Sequence, residues 1–418
     1  MANSNTTAQS RKKTGKASGK LTDKPNEDER NSFPQSLRPY WLPRDQLADE
    51  QRIACDGAAV ACALFNLGHD RACWPYVLSA GVLIHSIKQQ LGNVPGLSYV
   101  ALVPAPQRDG GAEEPLALTP DMLRALELQG WTVRPVPYLP EFERQINPHI
   151  KKGHHYNYTM GMKIHAFGLS EYKRVLYLDV DSVFDPERKL GDLGCCAELL
   201  RMDLGGWSAA ASYNAQKALI RMGEKNLRQR NDRLYDSKNN KYCSAAHSAQ
   251  IPAAFTQFDY PDMCGDPDRR HLGYCMMLTG LMVIQPDPEL MREILEVLRK
   301  VKTPMYSDGD MLTHALTMVG LNRGQEGGWV GVDMLYGAYR GETQNPPYGI
   351  QFGGMPPWLS HPDWPSGKTW RDSLKSLLQY AAANCPELAA VYRAHQWCNV
   401  KNRVNVKDLT QLDAAPEK

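Results

Sequence analysis

The run Arg174-Val-Leu-Tyr-Leu178, followed at once by Asp179-Val-Asp181, decides how this chain reads. Four consecutive apolar side chains suit a strand buried on both faces and are too few for a helix. The run then stops on two carboxylates one residue apart. Ligand crevices of open α/β sheets lie at the carboxyl ends of their strands. Aspartate oxygens there are hard ligands, suited to Mg²⁺ or Mn²⁺ bridged to substrate phosphates. A D-x-D also occurs as a turn or a helix cap, so its surroundings must decide.

Outward from this run, strands and helices alternate. Residues 58–67 are small and apolar, as in a buried strand. Residues 77–90 carry Ala80, Leu83, Ile84 and Ile87 at helical spacing, and 99–104 form a second strand. Thr119-Pro120 supplies an N-cap and a first-turn proline for a helix ending at Gly130. A third strand over 131–139 and a helix over 160–167 precede the decisive run. Beyond the middle come a strand over 278–284 and a helix opened by Asp287-Pro288, with Leu290, Ile294, Val297 or Leu298, and Val301 on one face. This alternation predicts an α/β fold whose mostly parallel central sheet carries helices on both faces. No internal repeat is visible.

Three regions follow. Residues 1–50 form a basic tail and lead-in. Of its first thirty residues only Met1 and Leu21 are large and apolar, so disorder is expected. Residues 51–374 form the domain, with a weakly patterned insertion at about 187–275. Within it, 215–241 holds eight Lys or Arg against three acids, which suits a solvated basic insertion, an acceptor-side lid or a site for an anionic partner. Residues 375–418 are a C-terminal extension, helical around 373–383.

The chain has 418 residues, with 48 basic and 46 acidic side chains, a net charge of +2. So small an excess gives no reason to expect a nucleic-acid partner. No apolar run approaches the roughly 20 residues of a membrane span. The basic start lacks the apolar core of a signal peptide, so a cytoplasmic location is expected; the acid-poor, Ser-containing tail also suits an organelle-targeting segment. None of the ten cysteines forms a C-x-x-C pair, and they read as reduced thiols.

The stretch from Lys163 to Asp181, Lys-Ile-His-Ala-Phe-Gly-Leu-Ser-Glu-Tyr-Lys-Arg-Val-Leu-Tyr-Leu-Asp-Val-Asp, resembles the signature of glycosyltransferase family 8, and most closely its glycogenin-like members. A lysine sixteen residues before the first aspartate belongs to that signature. The resemblance extends to Tyr76-Val-Leu-Ser-Ala-Gly-Val-Leu-Ile-His-Ser-Ile-Lys-Gln-Gln90 and to Thr279-Gly-Leu-Met-Val-Ile-Gln-Pro286, covering about 58–185 and 275–370.

The resemblance implies a GT-A fold in one large domain and retaining transfer of a hexose from a UDP-sugar to a carbohydrate or protein acceptor. It implies Mn²⁺ or Mg²⁺ on Asp179 and Asp181. Tyr76, Lys163, Val180, Gly280 and Lys368 become donor-binding candidates, and a homodimer is compatible. Asp308, in Ser307-Asp308-Gly309-Asp310, falls where the family has an aspartate near the sugar and is the catalytic candidate; as an N-cap it reads equally well. Gly309 replaces the family's glutamine and Leu278 its asparagine. The family's third metal ligand, a histidine, aligns with His361, followed by Lys368, or with Gln351, which puts an amide in its place. Tyr336, Tyr339 and Tyr348 lie in a Gly/Pro-rich loop where self-glycosylation could occur. Two alternatives stand beside this reading. One is an impaired nucleotide-sugar-binding scaffold of the same fold. The other is a nucleotidyltransferase or phosphatase, against which the lack of a Gly-rich phosphate loop counts.

Overall fold

A computed structural model describes residues 55–65, 70–91, 94, 96–105, 117–137, 139, 160–186, 195–202, 204, 208–214, 235–236, 241–242, 276–301, 308–324, 329–332, 338–339, 349–352, 357–359 and 365–394. The tail at 1–50, most of the basic segment, His361, Tyr336 and Tyr348 lie outside these residues.

The alternation expected from the sequence is present. In chain order the elements are β1 (Ala58–Ala63), α1 (Asp70–Leu91), β2 (Leu97–Pro104), α2 (Pro120–Gln129), β3 (Thr132–Val136), a 3₁₀ helix (Met160–Gly168), β4 (Arg174–Leu178) and β5 (Ser182–Phe184). They continue with α3 (Cys195–Leu200), β6 (Ala209–Asn214), β7 (Tyr235–Asp236), β8 (Lys241–Tyr242), β9 (Met276–Ile284), α4 (Pro288–Lys300) and α5 (Asp308–Asn322). Last come β10 (Val330–Val332), β11 (Ala338–Tyr339), β12 (Gly349–Gln351), a 3₁₀ turn (Pro357–Leu359), α6 (Pro365–Asn384) and α7 (Pro386–Ala394).

Seven strands form the central sheet in the order β10-β6-β9-β4-β1-β2-β3. All neighbours run parallel except β9, which is antiparallel to both β4 and β6. A small sheet, β11-β12-β5, stands apart from it. Strand pleating sends alternate residues to two cores. Val60, Cys62, Leu176 and Leu178 join the core under α1, α2, α6 and α7. Ala59, Ala61, Val175 and Tyr177 join the one under the 3₁₀ helix, α4 and α5.

The helix ends follow their caps. The Thr119 hydroxyl accepts from the Met122 N–H, and Gly130 (φ 100°) closes α2 in the left-handed region. The Asp287 carboxylate accepts from the Glu289 N–H, and Leu290, Ile294 and Leu298 form the buried stripe of α4. Each such side chain stabilises the fold by about 1.5–3 kcal/mol when fully buried. No described helix is long and apolar enough to cross a membrane.

Two expected boundaries move. The stretch 187–275 is not all insertion, because β6 lies inside it and sits in the central sheet between β9 and β10. Its sequence, Ala-Ala-Ala-Ser-Tyr-Asn, has no large aliphatic residue to announce a strand. The boundary at 374/375 falls inside α6. This helix buries Trp370, Leu374, Leu377 and Leu378 in the same core as α1, so it belongs to the domain.

Candidate active site

The site forms where β4 leaves the sheet. The Asp179 N–H donates to the Gly280 carbonyl of β9 (2.9 Å), the last rung of that ladder. A turn follows, closed by the Ser182 N–H on the Asp179 carbonyl (3.0 Å). Ser182 then begins β5, which departs to pair with β12, Gln351 lying opposite Ser182. Helix α1 fixes β5 from beneath: the Ser86 hydroxyl accepts from the Phe184 N–H (3.2 Å), and the Gln90 amide donates to the Asp185 carbonyl (2.8 Å). The Phe352 N–H donates to the Asp181 carbonyl (3.2 Å). The D-x-D is thus held between the main sheet and the small one.

Four distant segments converge there. Lys163, on the 3₁₀ helix, places its Nζ 3.0 Å from Asp179 Oδ1 and 3.1 Å from Oδ2. The same ammonium donates to the Thr279 hydroxyl (3.2 Å) and to the Asp308 carboxylate at the start of α5. Thr279 also donates to Asp308. The Tyr177 hydroxyl donates to Asp179 Oδ1 (3.2 Å), and the Gln351 amide Nε2 donates to Oδ2 (3.1 Å). Gly280 makes room for that amide. A Cβ at this position would lie 1.8 Å from Gln351 Nε2, so only glycine lets Gln351 reach Asp179.

Asp179 and Asp308 share one ammonium with Asp181 nearby, and the protonation of all three reflects it. Burial pushes Asp181 up to about 7, and the neighbouring Asp179 charge adds to the rise. Burial also raises Asp179, although Lys163 pulls the other way. For Asp308, burial opposes ionisation, but the Lys163 ammonium outweighs it and holds the carboxyl below its usual range. Burial likewise disfavours the Lys163 ammonium, and Asp179 with Asp308 more than compensates, so the lysine is charged.

Lys163, Asp179, Gly280 and Asp308 meet through these contacts, and Asp181 follows Asp179 in the turn. Val180 turns its side chain into the α1-side core, which leaves only its backbone for a ligand. Tyr76 is half-buried and packs edge-to-face on Trp358 (4.8 Å between ring centroids, 89°), just beyond the strand that carries Gln351. Lys368 does not join the buried cluster. Its side chain is 74 % exposed on α6 and pairs with Asp372 one turn on, because it sits on the face of α6 opposite Trp370 and Leu374. Of the two residues aligned with a third ligand, Gln351 lies beside Asp179, and His361 falls outside the described residues. Thr279 and Tyr177 complete the cluster and were not anticipated; the only hint was their position next to Gly280 and Asp179.

Among the described residues no three His, Cys, Asp or Glu side chains form a metal-binding group. The donor set nevertheless fits a hard divalent ion. Asp181 Oδ1 and Gln351 Oε1 are both buried without a hydrogen-bond partner, and carboxylate and amide oxygens suit Mg²⁺ or Mn²⁺.

No family model and no curated protein matches this sequence. Similar solved structures include the galactosyltransferase LgtC in complex with donor and acceptor sugar analogs (TM-score 0.45, 16 % identity, 81 % of this chain and 99 % of that one). The apo structure of the bifunctional glycosyltransferase WbbM has a TM-score of 0.44 and 14 % identity, over 80 % of this chain and 51 % of that one. Mouse xyloside xylosyltransferase 1 has a TM-score of 0.38 and 12 % identity, over 71 % of this chain and 98 % of that one. The chain thus spans about half the length of WbbM.

Proposed function

We propose that this protein is a GT-A type glycosyltransferase that moves a hexose, with retention, from a UDP-sugar to a carbohydrate or protein acceptor. The observation that supports this reading is the convergence of Lys163, Asp179, Asp181, Asp308 and Gln351 at the carboxyl end of β4, where α/β sheets bind ligands. The family resemblance assigns Lys163, Asp179, Asp181 and Asp308 to a nucleotide-sugar site and aligns Gln351, or else His361, with the family's third metal ligand.

In this reading Asp179, Asp181 and Gln351 hold the divalent ion, Mn²⁺ or Mg²⁺. When bound, it neutralises negative charge on the departing diphosphate. Lys163 offers the phosphates a compact positive charge on a flexible stem. Asp308, kept ionised by Lys163, orients the sugar and steadies positive charge developing at its anomeric carbon. The aromatic face of Tyr76 receives the uracil.

Calorimetric titration of UDP in the presence of Mn²⁺ tests the reading. Asp179→Asn and Asp181→Asn are expected to lose UDP affinity by at least tenfold while remaining folded. Unchanged affinity in both variants refutes it. A second reading, a donor-binding protein without turnover, is favoured by Gly309 and Leu278 at positions where the family carries polar side chains. A panel of UDP-glucose, UDP-galactose, UDP-N-acetylglucosamine and GDP-mannose, assayed for hydrolysis or transfer, separates the two.

A further inference from the structure

The two halves of the ion site proposed above are in opposite states. On one side, Asp181 Oδ1 and Gln351 Oε1 are buried and have no hydrogen-bond partner. On the other, both oxygens of Asp179 are engaged. Oδ1 receives Lys163 Nζ (3.0 Å) and the Tyr177 hydroxyl (3.2 Å); Oδ2 receives Lys163 Nζ (3.1 Å) and the Gln351 amide (3.1 Å). Lys163 is itself 7 % exposed and is anchored from behind by Asp308 and Thr279. An ion arriving alone therefore meets a positive charge of the protein's own on a carboxylate it needs. A diphosphate changes this balance, because its oxygens give the ammonium another anionic partner within reach of the flexible lysine stem.

We propose that Lys163 is a resident counter-ion that keeps divalent metal off Asp179 until a diphosphate draws the ammonium away, so that metal and nucleotide bind as a coupled pair. The inference rests on the nucleotide-sugar reading above and adds an order to it: free metal binds weakly, and metal with nucleotide binds well. Linkage requires the effect to be reciprocal, so the metal raises nucleotide affinity by the same factor as the nucleotide raises metal affinity. A lysine that merely stabilised the fold or contacted phosphate would not suppress binding of metal alone.

The full chain is titrated with Mn²⁺ without nucleotide, free ion being read by electron paramagnetic resonance, and compared with Lys163→Gln. The variant is expected to bind free Mn²⁺ at least tenfold more tightly than the wild type. It should also bind UDP, with Mn²⁺ present, at least tenfold less tightly. A variant whose free-Mn²⁺ affinity equals or falls below that of the wild type overturns the inference. If Lys163→Gln is unfolded in metal-free buffer, added Mn²⁺ is expected to restore its circular dichroism, the ion replacing the missing ammonium; a chain that stays unfolded at every Mn²⁺ concentration overturns it equally. Asp181→Asn in the same titration separates the two levels. If it leaves UDP-dependent Mn²⁺ binding intact, the donor-site reading fails and the counter-ion role fails with it. If it abolishes that binding while Lys163→Gln gains nothing, the counter-ion role alone is wrong.

Discussion

Two groups of charges in this molecule use the same residue types to opposite effect. On the outer face of α4, Arg292 pairs with Glu289 and Glu296 one turn either way, with side chains 42–54 % exposed. Nearby Arg323 pairs with Glu293 (2.8 Å) and Asp287 (3.6 Å). Water and salt screen such contacts, and they add little to stability. At the end of β4 two carboxylates hold one buried ammonium, a third follows in the turn, and two oxygens there lack hydrogen-bond partners. A fold does not gain from placing unsatisfied charge inside itself. In the proposed reading the buried group is explained by the ligand it receives, whereas the surface group needs only solvation.

This contrast can be broken at its strongest point first. Lys163→Gln leaves Asp179 and Asp308 without their cation. Urea unfolding in metal-free buffer is expected to show a loss of about 3–5 kcal/mol, the usual cost of breaking one side of a buried pair. Gly280→Ala puts a methyl group where the Gln351 amide lies, and overpacking of this kind costs about 1–3 kcal/mol. The same variant is expected to weaken Mn²⁺-dependent UDP binding in calorimetry, since Gln351 must move. Asp181→Asn removes a carboxylate whose Oδ1 is buried and unpartnered beside Asp179. We expect a gain of about 1 kcal/mol in urea unfolding together with the loss of nucleotide binding, which is the signature of a residue kept for function. The smallest effect belongs to the surface: Arg292→Ala is expected to leave the urea midpoint where it was, even though Glu289 and Glu296 both lose their ion pair. A large shift there would erase the distinction between the two groups.

Much of the scaffold was legible because its signals are local. The apolar run of β4, the Thr119-Pro120 and Asp287-Pro288 caps and the leftward turn at Gly130 each act within a few residues. Strand β6 was missed since burial between β9 and β10 selects small side chains, which give no hydrophobic pattern. The helix expected over 160–167 is a 3₁₀ helix, and Asp308, which reads from the sequence also as an N-cap, is the first residue of α5. In the site, the D-x-D itself was readable as the end of a buried strand. The meeting of Lys163 with Asp308, 145 positions apart, was not readable from periodicity and came only through resemblance. Strand β12 is three residues long, too short for any pattern, so the placement of Gln351 beside Asp179 had to await the pairing of β12 with β5.

That pairing also sets a timetable for synthesis. Asp179 and Gln351 are separated by 172 positions, and the amide reaches the carboxylate only by way of the β12–β5 ladder. A nascent chain released before β12 emerges would carry both aspartates and the lysine, yet would lack the third oxygen between the sheets. In the proposed reading, ion affinity is thereby acquired only once β12 has paired with β5, rather than with the appearance of the acidic motif itself.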